Sequence, residues 1–194
     1  MALGISQSRD PSLMRQHRWI PNLIYLVYLG LPWALACSWS YLSMDPRHQT
    51  YDVSVPNRKI DVFNLGFDAQ ITDFDGYGYL NQHLWDPRYQ KETKEYFERE
   101  LRSAGLMSSG DQKGVELRCW YVKAEGTFLR KIYYFSSKIS MEMQCCIKEI
   151  GWCDVFRAEG VGSFQHVTSM NEANARAQEG LVRGMIPAVA QQLR

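Results

Sequence analysis

From Trp19 to Met44 the chain carries no Asp, Glu, Lys or Arg, and inside that run the stretch from Ile20 to Leu31 is strongly apolar. Arg15, His17 and Arg18 stand just before it, and Ala34-Leu35-Ala36-Cys37 comes near its end. A basic head, an apolar body and small residues at the exit make the layout of a secretory signal. The run is also long enough to cross about 30 Å of hydrocarbon, for which about 20 residues suffice, so an uncleaved signal anchor is the alternative reading. Pro21 and Pro32 interrupt it as a helix, although membrane helices tolerate proline better than soluble ones do. In both readings the basic head stays cytoplasmic, and Ser38 onward is expected outside the inner membrane.

Ala34-Leu35-Ala36-Cys37 resembles the lipobox of bacterial lipoproteins, in which a small residue precedes a cysteine that is acylated and then becomes residue one. The leucine of the family's pattern stands further upstream than Leu35 does here. The resemblance implies lipid, palmitate included, on Cys37. A start at Met14 in place of Met1 would give the segment up to Ala36 an ordinary signal length with a short basic head. The expected organisation is a signal over residues 1–36, a lipid anchor and tether over 37–58, and a folded domain over 59–194.

Composition bounds the exported part. The chain has 194 residues, 45% of them hydrophobic and 22% charged, with a formal net charge of +1. That balance excludes a disordered or fibrous chain and argues against nucleic acid as a partner. Beyond Ala36, nineteen basic side chains face twenty acidic ones. A chain of ~150 residues buries roughly 70% of its unfolded surface, enough for a self-sufficient core.

Within residues 59–194 the periodicities alternate. Lys59 to Ile71 reads as a strand, and Phe74-Asp75-Gly76-Tyr77-Gly78-Tyr79 as a loop, since glycine packs nothing in a ladder. Asp86-Pro87 is a helix start, and Tyr89, Thr93, Tyr96, Phe97, Leu101 and Ala104 recur at helical spacing up to Gly105. Val115 to Glu125 and Phe135 to Ile147 alternate as strands, Gly151 turns the chain, and Trp152 to about Gly162 follows as a further strand. Ser169-Met170-Asn171-Glu172 reads as a capping box, opening a helix with the stripe Ala173, Ala177, Leu181, Met185, Ala188 and Val189. Pro187 is expected to kink or end that helix. The order strand-helix-strand-strand-strand-helix predicts an α+β domain: a mainly antiparallel four-stranded sheet with two helices packed on one face.

A lipobox-like cysteine, a tether, a helix ending near Leu101-Arg102-Ser103-Ala104-Gly105-Leu106, a three-strand meander and an Ala-rich last helix after Glu159-Gly160-Val161-Gly162-Ser163 resemble small bacterial envelope lipoproteins of the YajG-like and transport-auxiliary kinds. The resemblance covers most of residues 59–194 and rests on architecture. It implies a non-catalytic role as an adaptor or assembly factor of an envelope complex for transport, secretion or motility. The same resemblance implies attachment to the outer membrane, facing the periplasm, with an inner-membrane anchor as the alternative.

Motifs for chemistry are sparse. His17 and His48 lie in the signal and tether, and His83 and His166 flank the two helices without a partner at recognisable spacing. The sequence has no nucleophile elbow, metalloprotease helix or phosphate-cradling loop, so no catalytic residue, metal ligand or cofactor is expected. Four cysteines other than Cys37 remain in a compartment that permits disulfides: Cys119, Cys145, Cys146 and Cys153. They allow three pairings. Cys145 or Cys146 bonded to Cys153 would staple the hairpin around Gly151; buried free thiols are the alternative. The segment from Phe74 to Trp85, with Tyr77, Tyr79 and His83, concentrates aromatic side chains around two glycines and is the expected interaction loop. Packing over the end of the sheet is its other reading. The expected function is that of a lipid-anchored adaptor; a carrier holding an amphiphile between helices and sheet is the alternative, and an envelope enzyme, which would need His83 or His166 beside a carboxylate, comes third.

Overall fold

The computed structural model describes residues 50–54, 56–74, 80, 84–109, 114–130, 135–164 and 168–194. In chain order the elements are β1 (Ile60–Gly66), β2 (Gln70–Phe74), α1 (Pro87–Ser103), β3 (Val115–Arg130), β4 (Phe135–Ile147), β5 (Trp152–Phe164) and α2 (Thr168–Gln192). A 3-10 turn, Lys148–Ile150, joins β4 to β5.

The strands form one five-stranded sheet in the order β1-β3-β4-β5, with β2 also on β3. β3, β4 and β5 are an antiparallel meander. β1 and β2 lie parallel to β3, one after the other along the same edge: Phe63 pairs with Leu117, and Ile71 with Ala124. The sheet is therefore mixed and five-stranded, which corrects the expected mainly antiparallel four-stranded one. The physical reason is the crossover. A parallel neighbour needs a long return connection, and α1 carries the chain back so that β3 enters in the direction of β1. The strand expected over 59–71 is broken at Phe67–Ala69, where Ala69 N–H donates to the Phe67 carbonyl (2.9 Å).

α1 forms where local signals agree. The Asp86 side chain accepts from Arg88 N–H (2.8 Å) and Pro87 fills the first turn, where no hydrogen bond is lost. Tyr89, Thr93, Tyr96, Phe97 and Leu101 then make one buried stripe. Gly151 holds φ at +66° where the β4–β5 turn closes, a conformation that glycine adopts without a Cβ penalty. α2 opens at Thr168, with Ser169 inside its first turn, and it continues through Pro187 to Gln192. The helix therefore does not end at Pro187, which corrects that part of the expectation. The ring faces solvent, and burial of Val189, Ala190 and Leu193 beyond it holds the last turns in place.

Both helices cover one face of the sheet. Phe63 of β1 stacks on Phe97 of α1 (6.2 Å), and Phe67 tilts against Tyr121 of β3 (5.4 Å). α2 lies on the backbone of β5: a Cβ at Gly160 would come within 1.8 Å of the Ala173 carbonyl oxygen. Leu117, Ile139, Met143, Ile147, Leu181 and Ile186 fill the layer between, each large side chain stabilising the fold by about 1.5–3 kcal/mol on burial.

Residues read as tether join the domain. Tyr51 and Val53 pack against the core, Tyr51 OH donates to Glu100 Oε2 (2.9 Å), and Arg58 N–H donates to the Leu193 carbonyl (3.0 Å).

Candidate functional site

Alternation along the meander puts its polar residues on the face that the helices leave bare. Lys123 and Glu125 come from β3, Lys138, Ser140 and Glu142 from β4, and Arg157 and Glu159 from β5, where each stands opposite its cross-strand neighbour. Lys123 pairs with Glu125 (2.7 Å), Arg157 with Glu142 (2.6 Å) and Lys138 with Glu159 (2.9 Å), and Ser140 Oγ adds a hydrogen bond to Glu159 (3.1 Å). An open hollow of about 300 Å³ runs among these side chains.

The electrostatics suit docking. The Arg157 guanidinium holds the Glu142 carboxyl below its usual range, and Lys138 with Ser140 does the same for Glu159. Further along the face Arg118 lowers Glu116 by direct hydrogen bonding, helped by Asn64. Acids held ionised beside bases are poor proton donors at neutral pH and good partners for complementary charges. On the meander Leu129, Val155 and Val161 stand exposed, the mixture of apolar and charged contacts that protein interfaces use.

A hydrogen-bonded network crosses the layer between helices and sheet. Tyr89 OH donates to Asn174 Oδ1 (2.9 Å) and accepts from Gln178 Nε2 (2.9 Å), while Tyr121 OH donates to Gln178 Oε1. Burial pushes both phenols up, so the hydroxyls remain neutral donors. Among the described residues no group of three or more His, Cys, Asp or Glu could hold a metal ion.

The four cysteines of the domain form two disulfides, Cys119–Cys145 between β3 and β4 and Cys146–Cys153 between β4 and β5. Consecutive residues on a strand point to opposite faces, so the first bond sits in the core and the second on the bare face. Of the expected interaction loop, Tyr77, Tyr79 and His83 lie outside the described residues, as does Cys37. The side chain of Phe74 also lies outside them, although its backbone pairs with Thr127. Trp85 is 55% exposed at the start of α1, while Leu80 and Leu84 are buried. Among the described residues no helix is long and apolar enough to cross a membrane.

The bare face escaped the sequence reading, although its signal was present. Lys138, Ser140, Glu142 and Gln144 were legible as the polar side of a strand, but which strands share that side depends on pairing.

No protein-family model matches this chain. No curated protein matches it in sequence. Solved structures with a similar arrangement include a minor lipoprotein from Acinetobacter baumannii, at 14% identity and a TM-score of 0.32 over 66% of this chain and 90% of that one. A neuraminyllactose-binding hemagglutinin homolog from Helicobacter pylori matches at 8% identity and a TM-score of 0.38, over 78% of this chain and 92% of that one. A Xanthomonas campestris protein with the DUF330 family model matches at 9% identity and a TM-score of 0.36, over 71% and 92%. At these scores the role of this chain has to be argued from its own residues.

Proposed function

We propose that this chain is a lipid-anchored, non-catalytic adaptor of a bacterial cell envelope, which docks onto a larger envelope complex through the bare face of its sheet. The observation that carries the reading is that face: the described helices cover one side of the meander, and the other presents ion-paired charges around exposed Val155, Val161 and Leu129. Two supports come from the rest of the chain. The charge-free run that contains Ala34-Leu35-Ala36-Cys37 supplies the export signal and the acylation site. Both disulfides belong in an oxidising compartment such as the periplasm. The carrier alternative has less to stand on, because the interlayer that would hold an amphiphile is occupied by the Tyr89–Asn174–Gln178–Tyr121 network and its apolar surroundings.

The test uses the full chain in its own membrane. Labelled palmitate is expected to enter the protein and to be lost in Cys37→Ala, while an inhibitor of the lipoprotein signal peptidase leaves the precursor unprocessed. A photo-crosslinking residue at Leu129 is expected to trap an envelope protein, and one at the exposed Gln191 of α2 is not. Absence of label removes the anchor, and equal trapping at both positions removes the docking face.

A further inference from the structure

β5 ends the sheet. β4 pairs with its inner side, and no other described strand meets its outer one. At 13 residues it is long for an edge, which natural sheets keep short, covered or broken to avoid pairing with other chains. The disulfide shows which of its backbone groups point outward. The Cα atoms of Cys146 and Cys153 stand 4.1 Å apart, the close spacing of an antiparallel pair that exchanges no ladder hydrogen bonds. Odd-numbered residues of β5 therefore turn N–H and C=O to the free side, and accordingly Val155 N–H meets the Asp154 carboxylate (2.8 Å) and not β4. The same residues set their side chains on the bare face, in the order Cys153, Val155, Arg157, Glu159, Val161.

We propose that this edge pairs with β5 of a second copy of the chain, antiparallel about a two-fold axis at Ala158, joining two sheets into one. In that register Arg157 of each copy faces Glu159 of the other, and Val155 of each faces Val161 of the other. Every contact occurs twice by symmetry. Sliding the strands by one pairing step sets Arg157 against Arg157, or Glu159 against Glu159, and like charges directly opposite are unfavourable. The edge is thus self-complementary in a single register, in which Val155 N–H exchanges the Asp154 carboxylate for the partner strand and Arg157 and Glu159 exchange or share their contacts to Glu142 and Lys138.

A glycine on α2 supplies a separate observation. α2 runs beside β5, with Gly180 over Ala158 and Gly184 near Phe156. Packing within one copy requires Gly180, where a Cβ would lie 2.7 Å from that of Ala158. It does not require Gly184, where a Cβ would make an ordinary 3.6 Å contact and the residue is exposed. A glycine inside a helix weakens it, and one copy gains nothing in return. In the pair the two α2 helices flank the axis, and the bare flank at Gly184 lets them approach.

The pairing is independent of the adaptor reading, since it belongs to the folded domain whatever anchors it. Two differently tagged copies of the full chain, co-expressed and extracted in mild detergent, test it. Wild-type copies are expected to co-isolate. Arg157→Glu paired with itself, and Glu159→Arg paired with itself, oppose like charges and should lower the co-isolated fraction about tenfold. Arg157→Glu mixed with Glu159→Arg brings opposite charges together again and should restore it. Loss of the contacts that these residues make to Glu142 and Lys138 within one copy gives no such restoration. Intact disulfides by mass and an unchanged circular dichroism spectrum establish that the variants fold. Wild-type copies that fail to co-isolate, or a mixed pair no better than either variant alone, would overturn the proposal.

Discussion

Four phenols, those of Tyr51, Tyr89, Tyr96 and Tyr121, are held in or beside the helix–sheet interface. Burial raises the pKa of each, and Glu100 adds to the effect at Tyr51 and Tyr96. A folded-state pKa above the unfolded value of about 10 means that the fold favours the neutral hydroxyl. Stability from these groups is complete below about pH 10 and is lost as pH rises beyond it, because the unfolded chain releases the protons first. Tyrosinate absorbance of the native protein is therefore expected to lag behind that of the denatured protein, and resistance to urea to fall in the same alkaline range. Superimposable native and denatured titrations would refute this. Glu116, Glu142 and Glu159 act in the opposite direction. Their lowered pKa values favour the folded state above the usual carboxylate range, and that contribution fades as pH falls through it.

At the scale of elements, close approach and cross-linking hold the sheet to its helices and its strands to each other. Gly160→Ala would drive a Cβ into the Ala173 carbonyl, and overpacking of this kind costs about 1–3 kcal/mol or more. Gly184→Ala, whose methyl group would make only an ordinary 3.6 Å contact with the Phe156 ring, should stabilise a single copy by about 0.5–1 kcal/mol through helix propensity. Opposite shifts of the thermal midpoint check the pair, and a shift of the same sign would show that α2 does not sit on β5 in this way. The disulfides make a second contrast. They close loops with sequence separations of 26 and 7 residues, so the chain-entropy relation gives about 3.5 kcal/mol for Cys119–Cys145 and roughly 2.4 kcal/mol for Cys146–Cys153. Denaturant unfolding of the two double-alanine variants is expected to rank them in that order.

Much of this level was legible in the sequence. Asp86-Pro87 and the stripe from Tyr89 to Leu101 mark α1 almost to the residue, because cap and periodicity are local and agree. The direction of β1 was not legible, since alternation is the same in parallel and antiparallel strands. Pro187 misled for a related reason: its local cost is real, but the burial of Val189 and Leu193 that overrides it is tertiary.

For the whole molecule, all four domain cysteines are expected to be alkylated only after reduction, and peptide mapping that finds either pair labelled without reductant would contradict that bond. The bare polar face was the part least readable in advance. The aromatic segment near Tyr77 draws the eye by composition, whereas Lys123, Glu142 and Arg157 are scattered in sequence and meet only through register. The hydrogen bond from Arg58 N–H to the Leu193 carbonyl ties the start of the sheet to the end of the chain, just ahead of the parallel ladder from Ile60 to Gly66. In the proposed arrangement a membrane holds the chain upstream of Arg58 while a partner grips β3 to β5. Tension between the two then runs along β1, and its ladder bonds bear the load together in shear instead of opening one by one. The crosswise disulfides would keep the gripped strands from sliding apart, so in that arrangement the domain would act as a tie-rod.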